Sequence, residues 1–281
     1  MRPALDRPAF DWAGFGLLVA VAVLVVVLAF VVTLVVARAV GKHTVVDTTW
    51  GLGFVAVAAA AYATATALDV GNPTVRLVAL VLPAVWGLRL GGYLAWRNHG
   101  KGEDPRYADM LGDDHAPGAI TTTVLRKVYL PQAGVMIVVS LPVLAAMARA
   151  STVTALLVLG GVVWLVGFVF ESVGDAQLQR FKANPENKGK VLSSGLWRYT
   201  RHPNYFGDLC VWWGIFLTAV GHPAALVTVV GPVLMAYLLI SVTGKELTEK
   251  SMSDRPGYDE YVRNTSGFLP LPPGSKPARA T

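Results

Sequence analysis

The sequence is poor in cysteine and in charge. It has one cysteine among 281 residues, Cys210, and 15% charged residues, whereas 54% are hydrophobic. A single cysteine excludes a disulfide within the chain and a zinc site built from several cysteines. Soluble globular chains carry about 25% charged residues. The composition therefore argues against a soluble enzyme, a disordered chain and a nucleic-acid-binding domain, and we expect neither nucleic acid nor metal among its partners.

Long hydrophobic runs are abundant, and a membrane-spanning helix needs roughly 20 mostly apolar residues. Seven stretches reach or approach that length: residues 14–37, 50–68, 75–94, 129–148, 153–174, 205–220 and 224–243. The predicted fold is an all-α integral membrane protein whose seven transmembrane helices form a single domain, residues 14–268. Residues 1–13 are predicted to be an extracytoplasmic segment and the proline-rich residues 269–281 a flexible cytoplasmic tail.

The basic residues are distributed unequally between the two sides that seven spans define. Of the 24 Lys and Arg residues, 19 fall in segments on one side and four on the other, and Arg89 lies inside the third span. Cytoplasmic loops carry the excess of Lys and Arg. We therefore predict an extracytoplasmic N-terminus and a cytoplasmic C-terminus in the cell membrane, with any soluble cofactor bound on the cytoplasmic side.

Polar residues lie near the cytoplasmic end of the third span. Tyr93 follows Arg89 by one helical turn on the same face, and Asp47 comes directly before the second span. One interpretation is a structural ion pair made by Arg89, whose side chain can reach the interface. The other is a polar cavity that Arg89 shares with Asp47 and Tyr93.

The fifth span ends in FESVGDAQLQRFK, where Glu171, Asp175 and Lys182 share one helix face. Two carboxylates one turn apart repel each other unless cations or hydrogen-bond donors compensate them. The pattern indicates either a polar ligand site or a solvated cytoplasmic helix end.

The segment 193–208, SSGLWRYTRHPNYFGD, combines a turn, interface aromatics and a helix start at Pro203. The following span of 16 residues covers about 24 Å, so its N-terminus is expected in a cavity below the cytoplasmic surface. Arg201 and His202 there favour a phosphate or carboxylate, and Asn204 and Asp208 can bind a heterocycle or ribose. The alternative is a basic loop that touches anionic lipid head groups.

The GLWRYTRHPNYFGD segment resembles the signature of a bacterial membrane-protein family of mostly unassigned function that is grouped with the steroid 5-alpha-reductases. The likeness runs from about residue 44 to 270 and includes further motifs: VDTTWGLGF, WGLRLGGYLAWR, EDPRY, FESVGDAQLQRFK and GYDEYVRNTSGFLP. An Arg-His-Pro-x-Tyr element, here Arg201 to Tyr205, also occurs in isoprenylcysteine carboxyl methyltransferases, a weaker likeness.

The resemblance implies seven transmembrane helices, NADPH at the cytoplasmic end and reduction of a double bond conjugated to a carbonyl. It implies a tyrosine and an acid that polarise the carbonyl, and Tyr93 and Asp47 are the nearest matches. Glu249 is closer to what the methyltransferases show. The residues expected to bind the cofactor are Arg97, Arg106, Glu171, Asp175, Lys182, Tyr199, Arg201, His202, Asn204, Tyr205, Asp208, Glu249 and Tyr258.

Three functions remain open on the sequence. The first is an NADPH-dependent reductase of a fatty-acyl, isoprenoid or sterol-like lipid that enters from the bilayer, with Tyr93 as donor and Asp47 orienting it. The second is an S-adenosylmethionine-dependent methyltransferase with Arg201, His202 and Glu249 near the cofactor. The third is a non-catalytic lipid-binding membrane protein.

Overall fold

The structure is a computed structural model, and it describes residues 8–112, 116, 118–242 and 245–273. Within these residues the regular structure is helical, apart from two isolated bridges, Phe10 with Arg149 and Thr200 with Ser266. The longer helices are α1 Trp12–Val40, α2 Val45–Ala67, α3 Pro73–Asn98, α4 Pro105–Leu111, α5 Thr122–Ala148, α6 Thr154–Ala183, α7 Pro203–Ala219, α8 Pro223–Val242, α9 Lys245–Met252 and α10 Tyr258–Asn264.

Six helices of the described chain are long and apolar enough to cross a membrane: α1, α2, α3, α5, α6 and α8. This fits the predicted multi-pass membrane protein. The expected span 205–220 corresponds to α7, which has 17 residues and is not among the six. Seven crossings and their orientation therefore remain predictions.

The helix boundaries follow local sequence signals. Asp11 caps α1 by accepting a hydrogen bond from the Gly14 amide (2.7 Å). Gly41 caps the C-terminal end of α1, and its φ of 76° is the left-handed conformation that glycine adopts without strain. Asn72 caps α3 and Pro73 occupies its first turn, where the missing amide hydrogen costs nothing.

The chain divides into two compact units, and each is described separately. The first unit contains Met1–Gly160 and Ile215–Gly231. In it α2 packs against α3, α1 and α5, and a Cβ added to Gly51 would lie 2.6 Å from the Gly87 carbonyl oxygen. This close approach of α2 and α3 requires glycine on both helices.

The second unit contains Gly161–Gly214 and Pro232–Thr281. Helices α6 and α7 approach closely at Gly167 and Gly207: a Cβ on Gly207 would lie 2.4 Å from the Glu171 amide nitrogen. Leu271, in the predicted flexible tail, is hydrogen-bonded to the rest of the second unit: its backbone amide donates to the Tyr199 carbonyl (3.0 Å). The predicted tail residues 274–281 and predicted N-terminal residues 1–7 lie outside the described residues.

Candidate functional site

In the first unit, the loop after α3 is fixed to the start of α2 by Glu103. Its carboxylate accepts hydrogen bonds from the amides of His43 (2.5 Å) and Thr44 (2.8 Å) and from the Thr44 hydroxyl. Burial raises the pKa of Glu103, but these hydrogen bonds outweigh it, so the pKa lies below its usual value. Glu103 thereby holds the following residues, which begin α4, beside α2.

Asp47, in the first turn of α2, is the centre of a polar group that we call the Asp47 cluster: Asp47, Arg97, Asp104, Arg106 and Tyr107. The Tyr107 hydroxyl donates to Asp47 Oδ1 (2.6 Å), Arg106 Nη2 lies 3.3 Å from Asp47 Oδ2, and Arg97 Nη2 lies 3.7 Å from the same oxygen. Arg106 is oriented by Asp104, whose two oxygens accept from its Nε and Nη2 at 3.0 Å each.

The electrostatics of the Asp47 cluster keep Tyr107 protonated. Its side chain is buried, and burial together with the negative charge of Asp47 raises the pKa of Tyr107. The hydrogen bond to Asp104, followed by the charge of Asp47, raises the pKa of Arg106. The cluster therefore presents one buried hydroxyl donor and two guanidinium groups, which are 31% and 56% exposed for Arg97 and Arg106.

The structure gives Asp47 a different tyrosine from the one that sequence analysis assigned. Among the described residues, Asp47 contacts Tyr107, Arg106 and Arg97. The half-buried Tyr93 ring instead faces two guanidinium groups, 5.4 Å from Arg89 Cζ and 5.8 Å from Arg97 Cζ. Tyr107 was not among the residues predicted from the sequence to form the site. The EDPRY motif nevertheless places it directly after Arg106, which was among them.

In the second unit, Arg201, His202 and Glu249 form a group that we call the Arg201 cluster. Arg201 Nε and Nη2 each lie 2.9 Å from Glu249 Oε1, and His202 Nε2 lies 3.1 Å from the same oxygen. Arg201 Nη1 also donates to the carbonyl of Thr265 (2.9 Å). Burial raises the pKa of Glu249, but His202 and Arg201 lower it to about 2, so Glu249 is ionised at neutral pH.

These contacts give Arg201 a counterion within the chain. Sequence analysis expected it to bind phosphate or carboxylate of a ligand, whereas the folded chain supplies the carboxylate itself. Arg201 is 8% exposed and His202 2%, while the Glu249 side chain is 25% exposed. Glu249 is thus the member of the cluster that solvent or a ligand reaches most easily.

Around α6 and α7 the second unit brings further predicted residues together. Glu171 and Asp175 are 4% and 7% exposed, which does not match the alternative of a solvated helix end. Asn204 Nδ2 donates to Asp175 Oδ1 (3.2 Å), and Asp208 is 9% exposed. Lys182, at the end of α6, is exposed.

Three predicted tyrosines differ in their surroundings. Tyr205 stacks on His202 at 5.3 Å between ring centroids, and its hydroxyl lies 3.4 Å from Thr248 Oγ1. Tyr258 is 5% exposed, and burial and the charge of Glu249 raise its pKa. Tyr199 is 36% exposed, and its ring centroid lies 4.9 Å from Arg198 Cζ.

The described residues contain no group of three or more His, Cys, Asp or Glu that could hold a metal ion. They do hold two polar clusters, one in each unit. Each cluster brings together residues that are far apart in the sequence. The Asp47 cluster can donate hydrogen bonds to an oxygen or an anion. The carboxylates of the second unit can accept them from ribose hydroxyl or amino groups.

Comparison with known proteins gives a family and a short similarity. No solved structure matches the chain. Over 46 residues the chain is 46% identical to a protein of Ustilaginoidea virens named Probable O-methyltransferase ustE, and the similarity spans 16% of each chain. The family described as Protein of unknown function (DUF1295) matches residues 15–265. Since this match covers most of the sequence, the chain belongs to the DUF1295 family.

Proposed function

We propose that this protein is a membrane-embedded, NADPH-dependent reductase of a carbon–carbon double bond conjugated to a carbonyl in a lipid. The observation that supports it is the hydrogen bond between Tyr107 and Asp47 at 2.6 Å, flanked by two guanidinium groups. Resemblance to the steroid 5-alpha-reductases implies a tyrosine and an acid acting together. The substrate class is an apolar fatty-acyl, isoprenoid or sterol-like lipid that enters from the bilayer.

The Asp47 cluster suits the charge that develops in such a reaction. NADPH, when bound, would supply a hydride to the β-carbon, which leaves negative charge on the carbonyl oxygen until a proton from solvent adds to the α-carbon. Tyr107 would donate a hydrogen bond to that oxygen after its hydroxyl turns from Asp47, and Arg97 and Arg106 would keep the carboxylate compensated. A hydrogen bond to that oxygen stabilises the developing charge most where water is excluded.

The residues of the second unit suit parts of NADPH. Asp175 and Asn204, already joined by a hydrogen bond, can bind ribose hydroxyl groups and a carboxamide. The exposed Lys182, two turns beyond Asp175, can bind phosphate. Arg201 is engaged by Glu249, so in this proposal it positions that carboxylate rather than holding a phosphate.

A second candidate is an S-adenosylmethionine-dependent methyltransferase. The Arg201 cluster supports it, because Glu249 is ionised and partly exposed and a carboxylate attracts a sulfonium or an amino group. The similarity to a protein named as a probable O-methyltransferase points the same way, although it covers 46 residues.

Cofactor binding distinguishes these functions. The purified protein in detergent is heated with NADPH, NADH or S-adenosylmethionine, since a ligand that binds the native state raises the unfolding temperature. We expect stabilisation by NADPH, and at least tenfold weaker binding in Asn204→Ala than in the exposed control Arg198→Ala. Stabilisation by S-adenosylmethionine alone would support the second candidate. Stabilisation by none of them would favour a non-catalytic lipid-binding protein.

A matched pair of tyrosine variants tests the assignment of the donor. We expect Tyr107→Phe to slow NADPH oxidation roughly 10²-fold or more with a panel of lipid enones and enoyl thioesters, and to leave NADPH affinity nearly unchanged. Tyr93→Phe is expected to have a much smaller effect. The reverse result would return the donor role to Tyr93, as sequence analysis assigned it.

A further inference from the structure

The first unit contains a pocket of about 600 Å³ that neither cluster uses. It lies where α1 ends at Val40, α2 begins at Val45 and α3 ends at Asn98. All three helices are long and apolar enough to span a membrane. A pocket at their ends therefore lies at the level where lipid head groups meet water.

The pocket has an apolar wall and a basic mouth. Val40, Val45 and Ala95 supply apolar surface, and His99 and Lys101 are exposed at the opening. Such a combination suits a ligand with an apolar body and an anionic end.

The pocket has a positive balance of charge, because two lysines, Lys42 and Lys101, and one carboxylate, Glu103, line it. Glu103 accepts hydrogen bonds from the amides of His43 and Thr44. Lys42 Nζ donates to the carbonyls of Asn98 (3.2 Å) and Lys101 (2.8 Å), which fixes its ammonium group in the pocket wall and keeps its charge. Within the part of the chain that the structure describes, the Lys101 ammonium forms no ion pair.

An apolar stripe leads along α1 to the pocket. Val32, Val36 and Val40 are spaced by one turn and are 61%, 41% and 55% exposed. Trp96, 63% exposed near the end of α3, is typical of residues that sit at the head-group level. A hydrocarbon chain could lie along this stripe while its polar end reaches the pocket.

We propose that this pocket binds the phosphate group of an anionic phospholipid of the surrounding membrane, with an acyl chain lying along Val32, Val36 and Val40. Lys42, Lys101 and His99 hold the phosphate. Basic pockets between membrane-spanning helices recognise anionic head groups through the same chemistry. The site is independent of the proposed reductase reaction.

The test compares two lipids with identical acyl chains, phosphatidylglycerol and phosphatidylcholine, titrated into the detergent-purified protein. The rise in unfolding temperature gives an apparent affinity. We expect phosphatidylglycerol to bind at least tenfold more tightly than phosphatidylcholine, and inorganic phosphate at the same concentrations to produce no shift. Equal affinity for the two lipids would overturn the proposal, and a shift with inorganic phosphate equal to that with phosphatidylglycerol would assign a small-anion site instead.

Variants connect the binding to this pocket. The double variant His99→Ala/Lys101→Ala should bind phosphatidylglycerol at least tenfold more weakly and unfold at the wild-type temperature without lipid, since both side chains are exposed. The matched control Lys188→Ala/Lys190→Ala removes two exposed cations of the second unit and should bind as the wild type does. Equal affinities of the two double variants would show that phosphatidylglycerol binds elsewhere.

Discussion

Replacement of Glu249 by glutamine tests the central contact of the Arg201 cluster. Glutamine has nearly the same shape, but it removes the charge that faces Arg201 and His202. Arg201 would keep its hydrogen bond to the Thr265 carbonyl (2.9 Å) and lose the carboxylate that faces its Nε and Nη2. A guanidinium that is 8% exposed would then lack a counterion.

The expected loss of stability follows from burial. Breaking a fully buried ion pair by removing one partner costs about 3–5 kcal/mol, and a hydrogen bond to a charged group contributes about 1.5–3 kcal/mol. The Glu249 side chain is 25% exposed, so water compensates part of the change. We expect a loss of about 2 kcal/mol, or a fall in unfolding temperature of roughly 4–8 °C for a chain of this size.

The loss should depend on pH in a defined direction. The pKa of Glu249 is lowered in the folded protein from its usual 4.5 to about 2. A carboxyl group with a lowered pKa stabilises the fold above its unfolded pKa, and the contribution disappears as the pH falls through the folded pKa. The difference between wild type and Glu249→Gln should therefore shrink as the pH falls from 4.5 to 2 and the Glu249 carboxylate of the wild type becomes protonated.

The assay is thermal unfolding of the detergent-purified protein, followed by intrinsic fluorescence at several pH values. Glu260→Gln is the matched control, because Glu260 belongs to the same unit and is exposed. If Glu249→Gln unfolds at the temperature of Glu260→Gln at neutral pH, the Arg201 cluster does not stabilise the fold and our reasoning is refuted.

Two further predictions concern packing and topology. Gly207→Ala should lower the unfolding temperature by several degrees, because its Cβ would lie 2.4 Å from the Glu171 amide nitrogen. The control Gly161→Ala should have little effect, because nothing lies within 4 Å of its Cβ. Similar unfolding temperatures for the two variants would contradict the close approach of α6 and α7. In a Cys210→Ala background, Ala67→Cys and Gly102→Cys should react with a membrane-impermeant thiol reagent from opposite sides, the first from outside; labelling of both from one side would rule out α3 as a span.

The sequence alone predicted most of the helical architecture. Apolar runs near 20 residues located all six candidate spans, because a membrane selects for length and hydrophobicity and both are visible in one dimension. The ends moved by up to nine residues: the first run, predicted at 14–37, became Trp12–Val40, and the fifth, predicted at 153–174, became Thr154–Ala183. The capping residues Asp11 and Asn72 explain where α1 and α3 begin.

The sequence also showed which segments carry the residues of the polar clusters. It did not show which of these residues contact each other. RHPNY and EDPRY marked the segments that carry Arg201 and Tyr107. Nothing in a motif states which residue of a distant segment will meet it. Asp47 and Tyr107 are 60 positions apart, and Arg201 and Glu249 are 48.

Only the tertiary structure decided those pairs, for a physical reason. The Glu103 carboxylate fixes the loop after α3 to the start of α2, and this brings Tyr107 of α4, rather than Tyr93 of α3, to Asp47. Likewise the buried guanidinium of Arg201 needs a counterion, and the folding of the second unit supplies Glu249. Hydrophobic length is a local property of the chain, whereas the compensation of a buried charge depends on segments that only folding brings together.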